Sequence, residues 1–251
     1  MCGIAGFVND MPIDVKCPVL QRMTDMIAHR GPDSEGHYID EHAALGHRRL
    51  SIIDLGGGQQ PIYNEDGSKV ITFNGEIYNY QTLREELIAA GHTFTTKSDT
   101  EVLLHGYEQW GVDLLQRVRG MFTFVIWDKN KQELFGARDH FGIKPFYYAK
   151  MNGTFMYASE IKSLLRHPDF VKELNAEALK PYMTFQYPAI GETFFKGVYK
   201  LPEGHYFTYR DGKMDIHRYY DEDFREGKQK LGELVNSIDQ TVCDSVKAHQ
   251  I

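Results

Sequence analysis

Apolar residues recur along this chain with two spacings, about two and about three and a half residues, and their order predicts its elements. The opening run CGIAGFV (2–8) is small or apolar throughout and reads as a strand. PVLQRMTDMIAH (18–29) reads as a helix, with Pro18 in its first turn and Leu20, Met23 and Ile27 spaced for one face. VITFN (70–74) is a second strand and leads into GEIYNY. YQTLREELIAAG then sets Leu83 and Leu87 one turn apart and closes on Gly91. SDTEVLLHGYEQWG opens with Ser98 and Glu101 at capping-box spacing and stops at Gly111. In MFTFVIWD (121–128) almost nothing polar is left on either side, which predicts a strand covered on both faces. ELFGARD and PFYYAKMNGTFMYAS follow, the latter as two aromatic strands turned tightly at Asn152-Gly153.

Short strands joined by hairpins, with helices on either side, predict an α+β fold in which two antiparallel sheets stack face to face under helical layers. Beyond REGKQK, Leu231, Leu234, Val235, Ile238, Val242 and Val246 fall at helical spacing. Two readings of this tail helix stand side by side: it packs on its own domain, or it meets a neighbouring domain.

The formal charge of −7, from 28 basic and 35 acidic residues among 251, argues against a nucleic-acid footprint and against a polybasic membrane surface. Small-molecule chemistry moves up. Cys2, Cys17 and Cys243 show no paired spacing, so a reduced compartment is expected, and no run approaches the ~18 apolar residues of a membrane span. The expected location is cytoplasmic. His37, His42 and His47 match no zinc signature, and GGGQQP (56–61) lacks the lysine and hydroxyl of a phosphate loop. No metal ligands are assigned, and the glycines read as a flexible connection.

Cys2 is the candidate nucleophile. An N-terminal cysteine carries its own base, because an α-amine has a reference pKa near ~8 against ~10.4 for lysine and offers far more free base at neutral pH. The arrangement requires removal of Met1. Taken alone, Cys2 also suits a buried first strand, Asn74-Gly75 a simple turn, Arg49 a surface position and Asp99 a helix start.

Cys2 is followed in order by HRGPDSEG (29–36), GHRRLSIID (46–54), FNGEIYN (73–79), KSDTE (97–101), RGMFTFVIWD (119–128) and RDHFGIKPFYY (138–148). With MCGIAGF, these motifs closely resemble the glutamine-hydrolysing domain of asparagine synthetase, a class II amidotransferase of the N-terminal-nucleophile hydrolase fold. The resemblance runs from Met1 to about Tyr209, and HRGPD points to the asparagine synthetase branch. It implies the four-layer αββα sandwich, glutamine as substrate and Cys2 as nucleophile. It assigns Asn74 and Gly75 to the oxyanion, Arg49 to the α-carboxylate, and Asp99 with Glu76 to the α-ammonium. It also implies that the backbone around Leu50, Ile52 and Ile53 lines the pocket. Arg49 is preferred to Arg48 because it immediately precedes Leu-Ser-Ile, and RGPD is expected to shape a loop near the nucleophile.

In the family, ammonia passes to a synthetase domain where ATP activates aspartate, so ATP and Mg2+ belong to that domain and no cofactor is expected here. The ATP-binding SGG loop of that domain is missing from this sequence. The expected division is an amidotransferase domain over 1–209, then a linker and helix over 210–251 leading toward a synthetase domain or subunit. A homodimer is left open. A stand-alone glutaminase subunit serving another acceptor enzyme, and a non-catalytic module that binds glutamine or a partner, remain as alternatives.

Overall fold

The computed structural model describes residues 1–51, 57–187, 191–225, 227 and 229–250, so Ile52 and Ile53 of the expected pocket lie outside the described residues. In chain order the first half comprises β1 (Gly3–Val8), α1 (Ile13–Asp25), β2 (Ser34–Ile39), β3 (Ala43–Arg49), β4 (Ile62–Tyr63), β5 (Lys69–Ile77), α2 (Tyr80–Ala89) and α3 (Asp99–Trp110). Then come β6 (Gly120–Asp128), β7 (Glu133–Arg138), β8 (Tyr147–Met151), β9 (Thr154–Ala158), α4 (Ile161–Leu164), α5 (Leu179–Phe185), β10 (Val198–Lys200), β11 (His205–Arg210), β12 (Lys213–Arg218) and α6 (Leu231–His249). Short 3-10 turns link several of them.

Two six-stranded sheets form, in the orders β10-β8-β9-β1-β3-β2 and β12-β11-β7-β6-β5-β4, with antiparallel pairing throughout. Side chains alternate across each strand, and this sorts the apolar residues into three buried layers. Ile4, Leu45, Val125, Trp127, Phe155 and Phe207 meet between the sheets. Phe7, Ala44 and Met156 face outward under Leu20 and Met23 of α1. Phe73, Phe122, Phe124 and Ile126 lie beneath Leu83 and Leu87 of α2 and Val102 and Leu103 of α3. This is the expected αββα sandwich. β6 is covered on both faces as its pattern predicts, and each fully buried phenylalanine contributes roughly 2–3 kcal/mol of transfer free energy.

The hairpin turn at Asn152-Gly153 forms with φ of 49° and 84°, the pair of positive values that a two-residue turn of this kind requires. Two local expectations are corrected. α1 starts at Ile13, which places Pro18 inside the helix; the earlier start lets buried Lys16 donate from Nζ to the carbonyls of Asp40 at 3.1 Å and Glu41 at 2.6 Å. At α3 the reciprocal capping box does not form. Ser98 Oγ accepts from Thr100 N, while the Glu101 carboxylate accepts the amides of Thr95 and Thr96, both at 2.7 Å.

Among the described residues, no helix is long and apolar enough to cross a membrane. α6 buries no residue; the exposures of Leu231, Leu234, Val235, Ile238, Val242 and Val246 run from 42% to 78%. Its last turn touches the body where the His249 ring lies 4.0 Å from that of Tyr78.

Candidate active site

Cys2 stands one residue ahead of β1 and is half-buried. β1 pairs with β3 in a register that sets Gly3 opposite Arg48, which brings the chain start beside the end of β3. Leu50 N there donates to Cys2 Sγ at 3.4 Å, and the thiol reaches Leu50 O at 3.6 Å. From the other side Arg30 Nε donates to the Cys2 carbonyl at 2.9 Å, while its Nη1 pairs with Glu160 at 3.0 Å. The HRGPD segment therefore does shape the surroundings of Cys2. A Cβ on Gly31 would fall 2.3 Å from the Arg48 carbonyl, so only glycine lets this loop lie against β3.

Cys2 opens on a cavity of about 130 Å³ whose walls include Met1, Arg49, Leu50, Asn74, Gly75, Glu76 and Asp99. These residues, from four separate stretches of sequence, thus meet at one place. β5 supplies Asn74 and Glu76 from one face of the strand, two residues apart. The intervening Gly75 passes so close to β6 that a Cβ would lie 2.2 Å from Met121 O. Asn74 is 1% exposed, and its Nδ2 has no hydrogen-bond partner among the described residues. A buried amide donor left unpaired at a cavity wall is costly unless something there accepts its hydrogen bond.

Arg49, at the end of β3, is buried and lines the cavity. Asp99 is the first residue of α3 and is 4% exposed. Burial pushes its carboxyl up to about 6, although hydrogen bonds from Ile77 N at 3.0 Å and from Ser98 pull the other way. Burial also raises the Cys2 thiol above its ordinary value, against the opposing influences of the Leu50 amide, the positive chain start and Arg49. The thiol therefore stays protonated at neutral pH and needs a base at hand.

Several cavity residues escaped the sequence reading. Lys144, 4% exposed, lines the wall; burial lowers its pKa, with Glu76 and Asp139 opposing. Asp139 organises its loop by accepting the amides of Phe122, Phe141, Ile143 and Lys144. Lys144 lies in the motif RDHFGIKPFYY, whose spacing does not say that its lysine turns inward. The GGGQQP segment, expected as a flexible connection, contributes Gly58 and Gln60 to the wall. Gln60 is buried, accepts from Phe73 N at 2.6 Å and donates to Thr100 Oγ1 at 3.2 Å. Those two bonds fix it between β5 and α3.

Two stacked antiparallel sheets under helices, with a thiol next to the chain start and an unpaired amide donor lining one cavity, fit the N-terminal-nucleophile type of architecture. Glutamine phosphoribosylpyrophosphate amidotransferase from B. subtilis shares the fold, with a TM-score of 0.63 at 17% identity over 88% of this chain and 50% of that one. The glutamine amidotransferase domain model matches residues 1–220, and the chain belongs to that family. Asparagine synthetase [glutamine-hydrolyzing] 1 from Bacillus subtilis (strain 168) is 44% identical over 99% of this chain and 40% of its own length. Amidase chry2 from Gibberella zeae is 34% identical over 98% of this chain and 39% of its own length. The chain therefore spans about 40% of the length of these curated relatives.

Proposed function

We propose that this chain hydrolyses glutamine to glutamate and ammonia with Cys2 as nucleophile, and that the ammonia serves ATP-dependent amidation of aspartate in a synthetase domain or subunit. Removal of Met1 frees the α-amine of Cys2, which takes the thiol proton. Sγ then bonds to the side-chain carbonyl carbon of glutamine. Asn74 Nδ2 and the Gly75 N–H donate to the oxyanion so formed. As the oxyanion collapses, the C–N bond breaks and the amine's proton goes to the departing nitrogen, which leaves as ammonia. Water, giving a proton back to the amine, attacks the thioester; glutamate departs and Sγ recovers its proton. Arg49 clamps the α-carboxylate, and Asp99 with Glu76 holds the α-ammonium.

The unpaired Asn74 Nδ2 carries this reading, because it is a buried donor lining the same cavity as the thiol and is available to an oxygen bound there. The aspartate acceptor rests on the HRGPD motif and on similarity to glutamine-hydrolysing asparagine synthetases. In this reading the amidotransferase runs past residue 209 to take in β12 of its second sheet, and the residues beyond lead toward the synthetase part, with ATP and Mg2+ used there. The three unpaired cysteines suit a cytoplasmic setting.

The test is glutamate release by the purified chain, verified by mass to lack Met1, without ATP or aspartate. Release that Cys2→Ala abolishes is expected. A mature chain that releases none would exclude autonomous hydrolysis and favour a binding module.

A further inference from the structure

On the far side of α3, four side chains from three segments converge. Glu65 comes from the turn between β4 and β5, His92 follows α2, and His105 and Glu108 lie on α3. His92 Nδ1 lies 3.2 Å from a Glu65 oxygen and 4.0 Å from Glu108 Oε2; His105 Nδ1 lies 3.4 Å from Glu65 Oε2 and 3.1 Å from Glu108 Oε2. All four donor atoms fall within 4.8 Å of one another. A tetrahedral zinc ion with bonds of ~2.0–2.1 Å holds its donors ~3.3 Å apart, and the contacts here run from 3.1 to 4.0 Å, within reach of that geometry by small side-chain rotations.

The outer partners aim these donors inward. His92 Nε2 meets Gln109 Oε1 at 3.2 Å, and His105 Nε2 faces Glu101 Oε1 at 3.5 Å. Donation of the His92 Nε2–H to Gln109 turns its Nδ1 toward the carboxylates, the outer-contact pattern of metal-binding histidines, and the His105 ring presents its Nδ1 to the same carboxylates. The second Glu108 oxygen is tied back by Asn64 at 2.6 Å and lies 3.5 Å from Lys69 Nζ, and Glu65 Oε1 accepts from Thr93 N at 3.1 Å. As Nε2–H tautomers the two rings set Nδ1 lone pairs against the carboxylates, where a dication between them removes the repulsion; with hydrogen on Nδ1 the same contacts are hydrogen bonds, so metal and protons compete for these atoms.

We infer that Glu65, His92, His105 and Glu108 form a binding site for a divalent transition-metal ion of the zinc class. Two neutral imidazoles with two carboxylates give a neutral site on Zn2+, and the nitrogen and oxygen donor set suits that ion. His105 is 1% exposed and Glu65 37%, so the site is anchored in the core and open at the turn. An ion there clamps the β4–β5 turn and the exit of α2 onto α3, the helix whose first residue is Asp99. This inference is independent of the glutaminase reading.

The chain is stripped with chelator, reloaded with Zn2+ or Co2+, and analysed for bound metal after gel filtration. We expect one ion per chain, a higher melting temperature, and with Co2+ the visible absorption of a four-coordinate centre without a thiolate charge-transfer band. His92→Gln and Glu65→Gln lie at the more exposed edge and are each expected to weaken binding at least ~10²-fold while the metal-free melt stays unchanged. No stoichiometric binding, binding unaltered in both variants, or a thiolate band from the cysteines would overturn the site and leave an ion-paired network held by protons.

Discussion

Truncation of Asn74 to alanine separates an oxyanion donor from an ordinary buried amide. Its Nδ2 is buried at the cavity with no partner among the described residues, so removing it breaks no hydrogen bond made by that atom in the unliganded protein. The folding cost should stay within ~1 kcal/mol, the scale of a modest substitution that strands no other polar group. The transition state, by contrast, loses a preorganised donor aimed at developing charge. Such a donor is worth ~10²–10³ in kcat, or ~3–4 kcal/mol. Initial rates of glutamate release across a range of glutamine concentrations, beside a thermal melt, read both quantities. The expected outcome is a kcat lowered at least a hundredfold, with KM and the melting temperature nearly unchanged. A kcat within about threefold of the parent, or a loss confined to KM, would refute the assignment.

Asp99→Asn should uncouple stability from binding. The folded carboxyl titrates at about 6 against an ordinary 3.8, so its ionisation opposes folding; that penalty is absent below pH ~4 and complete above ~6, at most ~3 kcal/mol. The variant should therefore be more stable than the parent at pH 7 and equal to it below pH 4 in denaturant melts, while its KM for glutamine rises; a variant less stable at pH 7 would contradict this. Gly75→Ala drives a Cβ against Met121 O and Phe122 Cα, both backbone, so we expect a loss of ~1–3 kcal/mol in stability together with lost activity. An unchanged melting temperature would show that β5 and β6 can part there at little cost.

The architecture was legible because the strand periodicities are strong. The alternation in MFTFVIWD gives a doubly covered strand, and Asn152-Gly153 supplies the positive φ values its hairpin needs. Boundaries set by distant contacts were not legible: α1 begins before Pro18 because Lys16 finds carbonyls beyond β2, and Glu101 abandons the cap for Thr95 and Thr96. The same division holds at the cavity. Cys2, Arg49, Asn74, Gly75, Glu76 and Asp99 sit in contiguous motifs, and the structure gathers them at one wall. Lys144 and Gln60 join it only through a loop wound on Asp139 and through bonds to Phe73 and Thr100. Glu65, His92, His105 and Glu108 are scattered over three segments and match no spacing rule, so only the fold brings them together.

The most direct test of the account is mass spectrometry of the chain after reaction with a glutamine analogue carrying an electrophile in place of the side-chain amide. A single adduct is expected on the N-terminal peptide, at Cys2, in molecules lacking Met1 and not in those that retain it. An adduct on Cys17 or Cys243, or equal labelling of chains that retain Met1, would contradict it.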